Sequence, residues 1–503
     1  MSRDAASIPF AISLDCSSRL PLHRQLYDAL RNAVLSGRLA PGFQLPSTRQ
    51  LAADLELSRN TVLNAYDQLL AEGYLEGHIG SGTFVARSIP DIVLRAQPAA
   101  PVIAPARLSA ALSGRGRQFV ANQVRRFRRP GAPVPFRMGI PALDAFPFAI
   151  WSRLFAQQWK RHPAGLLPYG DSAGYLPLRQ SVATYLQIAR AVRCRPEQVI
   201  ITSGAQQALD LAARVLVDPG QPVCIEDPGY IGARIAFQSA GARLVPVAVG
   251  SEGLDLAKAQ NACHRPRVIY VTPSHQYPLG ATMTLPRRLE LLQWAQRVRS
   301  WIIEDDYDSE YRYSSRPIAS LQGLDTTGSV LYAGTFSKVL FPSLRLGYIV
   351  VPPSLVEAFV AAKAAADGQC PALEQAVLAH FMAEGHFGRH IRRMRKLYEQ
   401  RQAALIETIE EELPGILTVG QHDAGMHVVA CLPLGIADAP IAELALQRGV
   451  ELQPLSSYGL RPVRRGGFVM GYAAYSPAAM RRAVAIVGDI VRHVLESGRH
   501  PIG

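Results

Sequence analysis

Long apolar runs, paired cysteines and lysine are all scarce in this chain. No stretch reaches the ~18 consecutive apolar residues of a membrane-spanning helix, which argues against a helical integral membrane protein. The opening residues, MSRDAASIPF, lack a basic segment followed by an apolar one, so no secretory signal is expected. The six cysteines (Cys16, Cys194, Cys224, Cys263, Cys370 and Cys431) are scattered, with no C-x-x-C pair. Such usage argues against a disulfide framework or a zinc site and fits reduced, buried thiols in a cytoplasm; no metal is expected. Charged residues make up only 18% of the 503 and apolar residues 48%, enough for more than one packed core.

Positive charge is in excess, +13, but its placement says more than its total. Residues 1–87 carry Arg3, Arg19, Arg24, Arg31, Arg38, Arg49, Arg59 and Arg87 against as many acidic side chains, so this segment is formally neutral. Residues 88–133 carry eight arginines, among them Arg125, Arg126, Arg128 and Arg129, against Asp91 alone. Charge therefore does not single out a nucleic-acid-binding element, and motifs have to.

Three textures follow one another. Residues 1–87 are short helical patterns closing in a Gly-rich hairpin. Residues 88–133 are rich in Pro, Ala and Arg and read as an extended linker, with a short helix near 121–127. From 134 to 503, apolar runs such as VIITSG, PVCIED, RVIYVTPS, SWIIEDD and SVLYAGT alternate with longer helical patterns. That alternation predicts an α/β/α domain with a mostly parallel sheet and functional residues at the strands' C-terminal ends.

In the first region Leu22, Leu26, Leu30, Ala33 and Val34 share a helical face, and Gly37 follows as a stop. Ser47 with Gln50 has the spacing of a capping box and starts a helix bearing Leu51, Ala52 and Leu55. Ser58 caps the next, with Val62, Ala65, Tyr66, Leu69 and Leu70 inward and Gly73 at its end. Two helices joined so tightly predict a helix-turn-helix, and the alternation from 74 to 85 around Gly80-Ser81-Gly82 predicts a wing. The ordered segments LPSTRQLA, LSRNTV, AEGYL and GSGTFV resemble the GntR-type winged helix, an α+β domain. That resemblance implies a double-stranded DNA operator as partner, with Ser47, Arg49, Ser58, Arg59 and Thr61 facing it and Gly80 and Gly82 bringing the wing backbone close. Amides at the two helix starts favour phosphate. Arg59 has the chemistry to read a guanine edge, worth about 1–3 kcal/mol of discrimination.

The segment SVLYAGTFSKVLFPSLRLGYIV delivers Thr335, Ser337, Lys338 and Arg345 into one loop region after a strand. An aldehyde cofactor needs an amine for a Schiff base, hydroxyls for its phosphate and a guanidinium for that dianion. IIEDDYDSEY places Asp305 and Tyr307 at a strand end, a carboxylate for a pyridine nitrogen and a phenol for the ring's O3′. Ser203, Gly204 and Ala205 open a helix and offer donors to phosphate. Tyr230, in EDPGYIGAR, has the shape to stack on the ring. Each piece alone is ordinary; the ordered set, with YGDSAGYLPLRQSVATYL, resembles the fold-type I aminotransferases over about 134–495. The resemblance implies pyridoxal 5′-phosphate as cofactor, and its tyrosine that reaches the neighbouring subunit's phosphate falls on Tyr169.

Winged helix, linker and aminotransferase-like domain together resemble the MocR subgroup of GntR regulators, to whose motifs TPSHQYPLG and EDDYDSEYRY are close. The subgroup implies a head-to-tail homodimer. Aminotransferases carry N-P-T-G where this chain has Tyr277-Pro278-Leu279-Gly280, so Tyr307 or Gln276 is left to hold O3′. Where many of them carry an arginine for the substrate carboxylate stands Val469; Arg461, Arg464 and Arg465 lie upstream, and Arg234 is a further anion partner. The expectation is a transcription regulator that senses a small amine, or the vitamer itself, through a Schiff base on Lys338. γ-Aminobutyrate, taurine, an amino acid and pyridoxal phosphate itself are all open as effectors. The alternatives are a working aminotransferase that autoregulates, and a DNA-binding dimer whose large domain is only a scaffold.

Overall fold

In a computed structural model the chain is described at residues 12–15, 17–18, 20–78, 81–88, 112–121, 134–161, 163–313, 318–420 and 423–497. It divides into two compact units, Met1–Ala111 and Leu112–Gly503. Most of the expected linker, with Arg125, Arg126, Arg128 and Arg129, lies outside the described residues, as does nearly all of the helix expected near 121–127.

The first unit begins with α1 (Leu22–Leu35), β1 (Gln44–Leu45), α2 (Thr48–Asp54) and α3 (Arg59–Ala71). It closes with β2 (Leu75–His78) and β3 (Gly82–Val85), and the three strands form an antiparallel sheet in the order β1-β3-β2. Leu26, Leu30 and Ala33 of α1 meet Leu51 of α2 and Val62, Ala65 and Leu69 of α3 in one core. Each such leucine contributes roughly 1.5–3 kcal/mol by leaving water. Ser47 Oγ accepts from the Gln50 amide at 3.2 Å, as the capping spacing predicts. The Gln50 side chain does not return the bond; its amide donates to Asp54 Oδ1 at 2.8 Å, one helical turn on. Ser58 Oγ accepts from the Thr61 amide at 3.1 Å. Gly37 and Gly73, both at φ +77°, carry the chain out of α1 and α3 in the left-handed region.

The second unit opens with α4 (Gly114–Ala121), α5 (Phe148–Arg161), α6 (Pro163–Leu166) and α7 (Leu176–Arg190). Its centre is an eight-stranded sheet made of β4 (Val199–Thr202), β5 (Pro222–Asp227), β6 (Arg243–Gly250), β7 (Gly253–Leu254), β8 (Val268–Val271), β9 (Trp301–Asp306), β10 (Val330–Thr335) and β11 (Gly347–Val350). The order is β4-β11-β10-β9-β8-β5-β6-β7. Neighbours from β10 through β6 are parallel, whereas β11 runs antiparallel to both β10 and β4. Strands covered on both faces read as unbroken apolar runs, which is why VIIT and VIYV show no alternation. α8 (Ala205–Leu216) follows β4 and α9 (Ile231–Ser239) follows β5, so both helices start at the strands' C-terminal edge.

A second, antiparallel sheet stands apart in sequence: β12 (Thr418–Val419), β13 (His427–Cys431), β14 (Gln453–Pro454) and β15 (Gly467–Gly471), in the order β12-β13-β15-β14. The helices His386–Glu412 and Pro477–Ser497 pack with it around Val428, Phe468, Met470 and Val487. Among the described residues no helix is long and apolar enough to cross a membrane, and five cysteines are free, four of them buried.

Candidate functional site

Asp305 and Asp306 are consecutive on β9, so their side chains leave opposite faces of the sheet. Asp306 is bound from behind by Arg190 Nε at 2.9 Å and the Tyr332 hydroxyl at 2.5 Å. Asp305 accepts from the Tyr270 hydroxyl at 2.8 Å through Oδ2, while its Oδ1 is buried without a hydrogen-bond partner among the described residues. Burial pushes its carboxyl up to about 7, with the Tyr270 bond pulling the other way. A buried acceptor with nothing to accept from is costly unless a ligand supplies the donor.

β9 and β10 are parallel neighbours with Asp305 opposite Ala333, so the loops that follow them meet at one edge of the sheet. One carries Tyr307 and the other Lys338, whose Nζ donates to the Gly139 carbonyl at 3.0 Å. Gly139 has φ +70°, and a Cβ there would fall on that amine. Thr335 Oγ1 accepts from the Ser337 amide at 3.2 Å, which fixes the turn leading to the lysine.

Beyond the same edge, Gly204 stands at the start of α8 with φ +115°, and Arg345 Nη1 lies 3.6 Å from where its Cβ would be. Gly347 packs directly on the Gly204 backbone. Arg345, Gly204 and the first turn of α8 thus form a cationic cradle, with Ser203 and Ala205 on either side. Ser203's own amide donates to Gln207 Oε1 at 2.8 Å, so its hydroxyl, not its amide, is the group left for a ligand.

Tyr230 precedes α9 and meets the Tyr277 ring edge-on at 5.6 Å. Tyr277 in turn places its hydroxyl 3.1 Å from that of Tyr458. Arg234 and buried Glu226 line a narrow cleft with Tyr230, Tyr270 and Tyr458, with room for about one water. Burial lowers the Arg234 pKa and pushes Glu226 up to about 7. Tyr169 is fully exposed and is not part of this cluster within one chain. Arg461 and Arg464 are exposed as well. Arg465 donates to the Leu432 carbonyl and, at 3.3 Å, to Thr418 Oγ1, which ties it to the edge of the second sheet.

His275, Asp308 and His427 form a buried group whose ligand-type atoms lie within 4.8 Å of one another. Hydrogen bonds already engage them: His427 Nε2 is 3.0 Å from the Pro278 carbonyl and His275 Nδ1 is 2.9 Å from Asp308 Oδ2.

In the first unit Arg49, Ser58 and Arg59 are exposed and Thr61 half-buried, so the start of α3 presents a polar face while Val62 and Ala65 face the core. Gly82 takes φ +108° and packs on Gln44, whose amide donates to the Ser81 carbonyl at 2.8 Å. Gly80 lies outside the described residues.

Residues 156–487 match the family described as aminotransferase class I and II, and residues 22–85 match the bacterial regulatory proteins of the gntR family. The chain is 42% identical to the probable rhizopine catabolism regulatory protein MocR of Rhizobium meliloti, across 97% of each. It is 29% identical to the pyridoxine biosynthesis transcriptional regulator PdxR of Corynebacterium glutamicum, over 97% of this chain and 99% of that one. The second unit is similar to the crystal structure of LysN, an α-aminoadipate aminotransferase of Thermus thermophilus (TM-score 0.72, 30% identity, 77% of this chain and 99% of that one). The chain belongs to the MocR-type gntR regulators.

This MocR-type regulator is accordingly a DNA-binding transcription regulator with pyridoxal 5′-phosphate as cofactor. The residues fit that group: the unmatched Asp305 Oδ1 suits a protonated ring nitrogen, and the Arg345–Gly204 cradle suits a phosphate. Of the two residues left by the sequence for O3′, Gln276 is fully engaged. Its amide donates to Glu226, to the Pro228 carbonyl and to the Tyr277 carbonyl, and its oxygen accepts from Leu279. Val469 is buried in β15, in an apolar cluster with Ile231, Val429 and Tyr458.

Gly139, Tyr270, Glu226, His275 and Asp308 escaped the sequence reading. Gly139 sits in an ordinary R-M-G-I-P run, and only its positive φ reveals it. His275 and Asp308 lie within TPSHQYPLG and EDDYDSEYRY, but a lone buried His or Asp carries no periodic signal.

Proposed function

We propose that this regulator senses a primary amine at Lys338 and transmits binding to its operator through a head-to-tail homodimer. The observation that carries the reading is the convergence of Lys338, the unmatched Asp305 Oδ1 and the Arg345 cradle at one sheet edge. When bound, pyridoxal phosphate supplies an aldehyde carbon that amines capture reversibly. Lys338 is the amine that would hold the group in the absence of effector. Asp305 Oδ1 would accept from its ring nitrogen, and the Tyr307 hydroxyl would donate to its O3′. Arg345, Ser203, Gly204, Ala205, Thr335 and Ser337 would hold its phosphate, and Tyr230 would cover a ring face. Tyr169, fully exposed within one chain, completes the partner's site.

Arg234 is the cation best placed for an effector carboxylate, because it lines the cleft beside Tyr230 whereas Arg461 and Arg464 stay in solvent. In the first unit Ser47, Arg49, Ser58, Arg59 and Thr61 contact the operator, with Gly80 and Gly82 at the wing. An effector shifts DNA binding only by its differential affinity for two dimer arrangements, typically about 1–3 kcal/mol.

The test titrates candidate amines, γ-aminobutyrate and taurine among them, against the cofactor-loaded protein while operator affinity is measured. A common midpoint for the spectral change and the affinity change supports the reading. Amines that change the spectrum and leave operator affinity untouched contradict it. Sustained release of keto acid over many turnovers, with no effect on DNA, marks the chain as a transaminase instead.

A further inference from the structure

Three side chains, two of them buried, share one hydrogen-bonding atom. His275 Nδ1 lies 2.9 and 3.2 Å from the two oxygens of Asp308 and 3.0 Å from the Tyr307 hydroxyl. His275 and Asp308 are 2% and 1% exposed, whereas Tyr307 is half-buried. The pair is locked by the residues just before β13: the Met426 amide hydrogen-bonds Asp308, and a Cβ on Gly425 would collide with the His275 ring.

An imidazole nitrogen offers one in-plane position, either an N–H or a lone pair. Asp308 occupies that position at Nδ1, whichever of the two groups carries the hydrogen between them. With the hydrogen on Nδ1, the buried Nε2, which has no partner among the described residues, is left as a lone pair and not as an unmet donor. In either case the Tyr307 hydroxyl has its oxygen beside Nδ1 and its hydrogen directed elsewhere.

We propose that His275 and Asp308 are a positioning pair that keeps the Tyr307 hydroxyl hydrogen aimed at O3′ of the cofactor. The inference rests on the cofactor-site reading above. Burial holds the His275 pKa down at about 3, so its imidazole stays neutral across the working range and adds no charge of its own. Charged or titratable groups around this trio include Asp305, Glu226, Arg312, Lys338, Tyr277, His427, Tyr311, Tyr313 and Tyr472, with Asp306 acting from the other face of β9. A donor at O3′ stabilises negative charge there, and that charge is least compensated when the nitrogen joining Lys338 to the cofactor has no proton. The pair therefore lowers the pH at which the visible band of the lysine-bound cofactor titrates.

The test is a pH titration of that band in the cofactor-loaded full chain. Tyr307→Phe is expected to raise the midpoint by about one to two pH units, the size of a charge-assisted hydrogen bond. His275→Asn and Asp308→Asn, with melting temperature followed as a folding control, are each expected to raise it by on the order of half a unit. Made in the Tyr307→Phe background, the same changes are expected to add nothing. Equal shifts with and without the Tyr307 hydroxyl, or no shift from folded His275→Asn and Asp308→Asn variants, overturn the positioning role. A parent chain with no band, like Lys338→Ala, overturns the cofactor-site reading itself and the inference with it.

Discussion

Lys338 Nζ donates a 3.0 Å hydrogen bond to the Gly139 carbonyl, joining residues 199 positions apart. Gly139 has φ +70°, and a Cβ there would fall on the amine. Gly139→Ala therefore strains the backbone by about 1–2 kcal/mol and displaces the amine proposed to carry the cofactor. The expected outcome is a weakening of cofactor affinity by on the order of tenfold or more, read from the visible band as pyridoxal phosphate is titrated. Unchanged affinity in a folded variant contradicts this account of Gly139.

Glu226 is buried and held up to about 7 by that burial, while bonds from Thr272 and Gln276 pull the other way. Its reference value is 4.5, so below that pH both folded and unfolded chains hold the proton. Between about 4.5 and 7 the unfolded chain releases it and the folded chain does not, and stability falls with rising pH across that window. Glu226→Gln cannot ionise. Relative to the parent, the cofactor-free variant should gain up to a few kcal/mol between about pH 5 and pH 8, seen as a widening difference in melting temperature. A difference that stays flat with pH would show that Glu226 does not titrate in this window.

At the start of α3, Arg59 is exposed and Ser58 caps the helix at 3.1 Å, so their losses should separate. Arg59→Ala should weaken operator binding by about 1–3 kcal/mol and relax base preference, with the melting temperature unchanged. Ser58→Ala should lower the stability of the first unit by about 1 kcal/mol. Operator affinity against sequence variants, beside thermal melts, distinguishes the two. An Arg59→Ala variant that binds all sequences equally less well would make Arg59 a phosphate contact.

The arginines at 125, 126, 128 and 129 concentrate positive charge in the segment between the matched domains. If they touch DNA, neutralising all four should flatten the plot of log affinity against log salt by up to about 3 to 4 units of slope. An unchanged slope leaves that segment as a tether.

Much of this architecture was legible because local chemistry and global fold agree. Ser47, Ser58, Gly37 and Gly73 punctuate the first unit where capping chemistry requires them. The runs ending at Thr202, Asp227, Val271, Asp306 and Thr335 are all strands of the central sheet, and the expected mostly parallel arrangement is found. The antiparallel direction of β11 was not legible, since GYIV is as apolar as its parallel neighbours and direction leaves no trace in composition. Nor was the second antiparallel sheet, whose β12 and β14 are only two residues long. Side chains held by backbone groups distant in sequence, such as Lys338 by the Gly139 carbonyl or Asp308 by the Met426 amide, become visible only when the chain is folded.

The central claim is that Lys338 carries the cofactor through which operator binding is controlled. Its most direct test is the visible absorption spectrum of the purified protein with pyridoxal phosphate, beside Lys338→Ala, each followed by operator titration with and without an amine. The expected result is a visible band in the parent that the variant lacks, and an amine effect on operator affinity that disappears with it. A variant that keeps both the band and the amine response, or a parent that lacks the band while binding its operator normally, would contradict it.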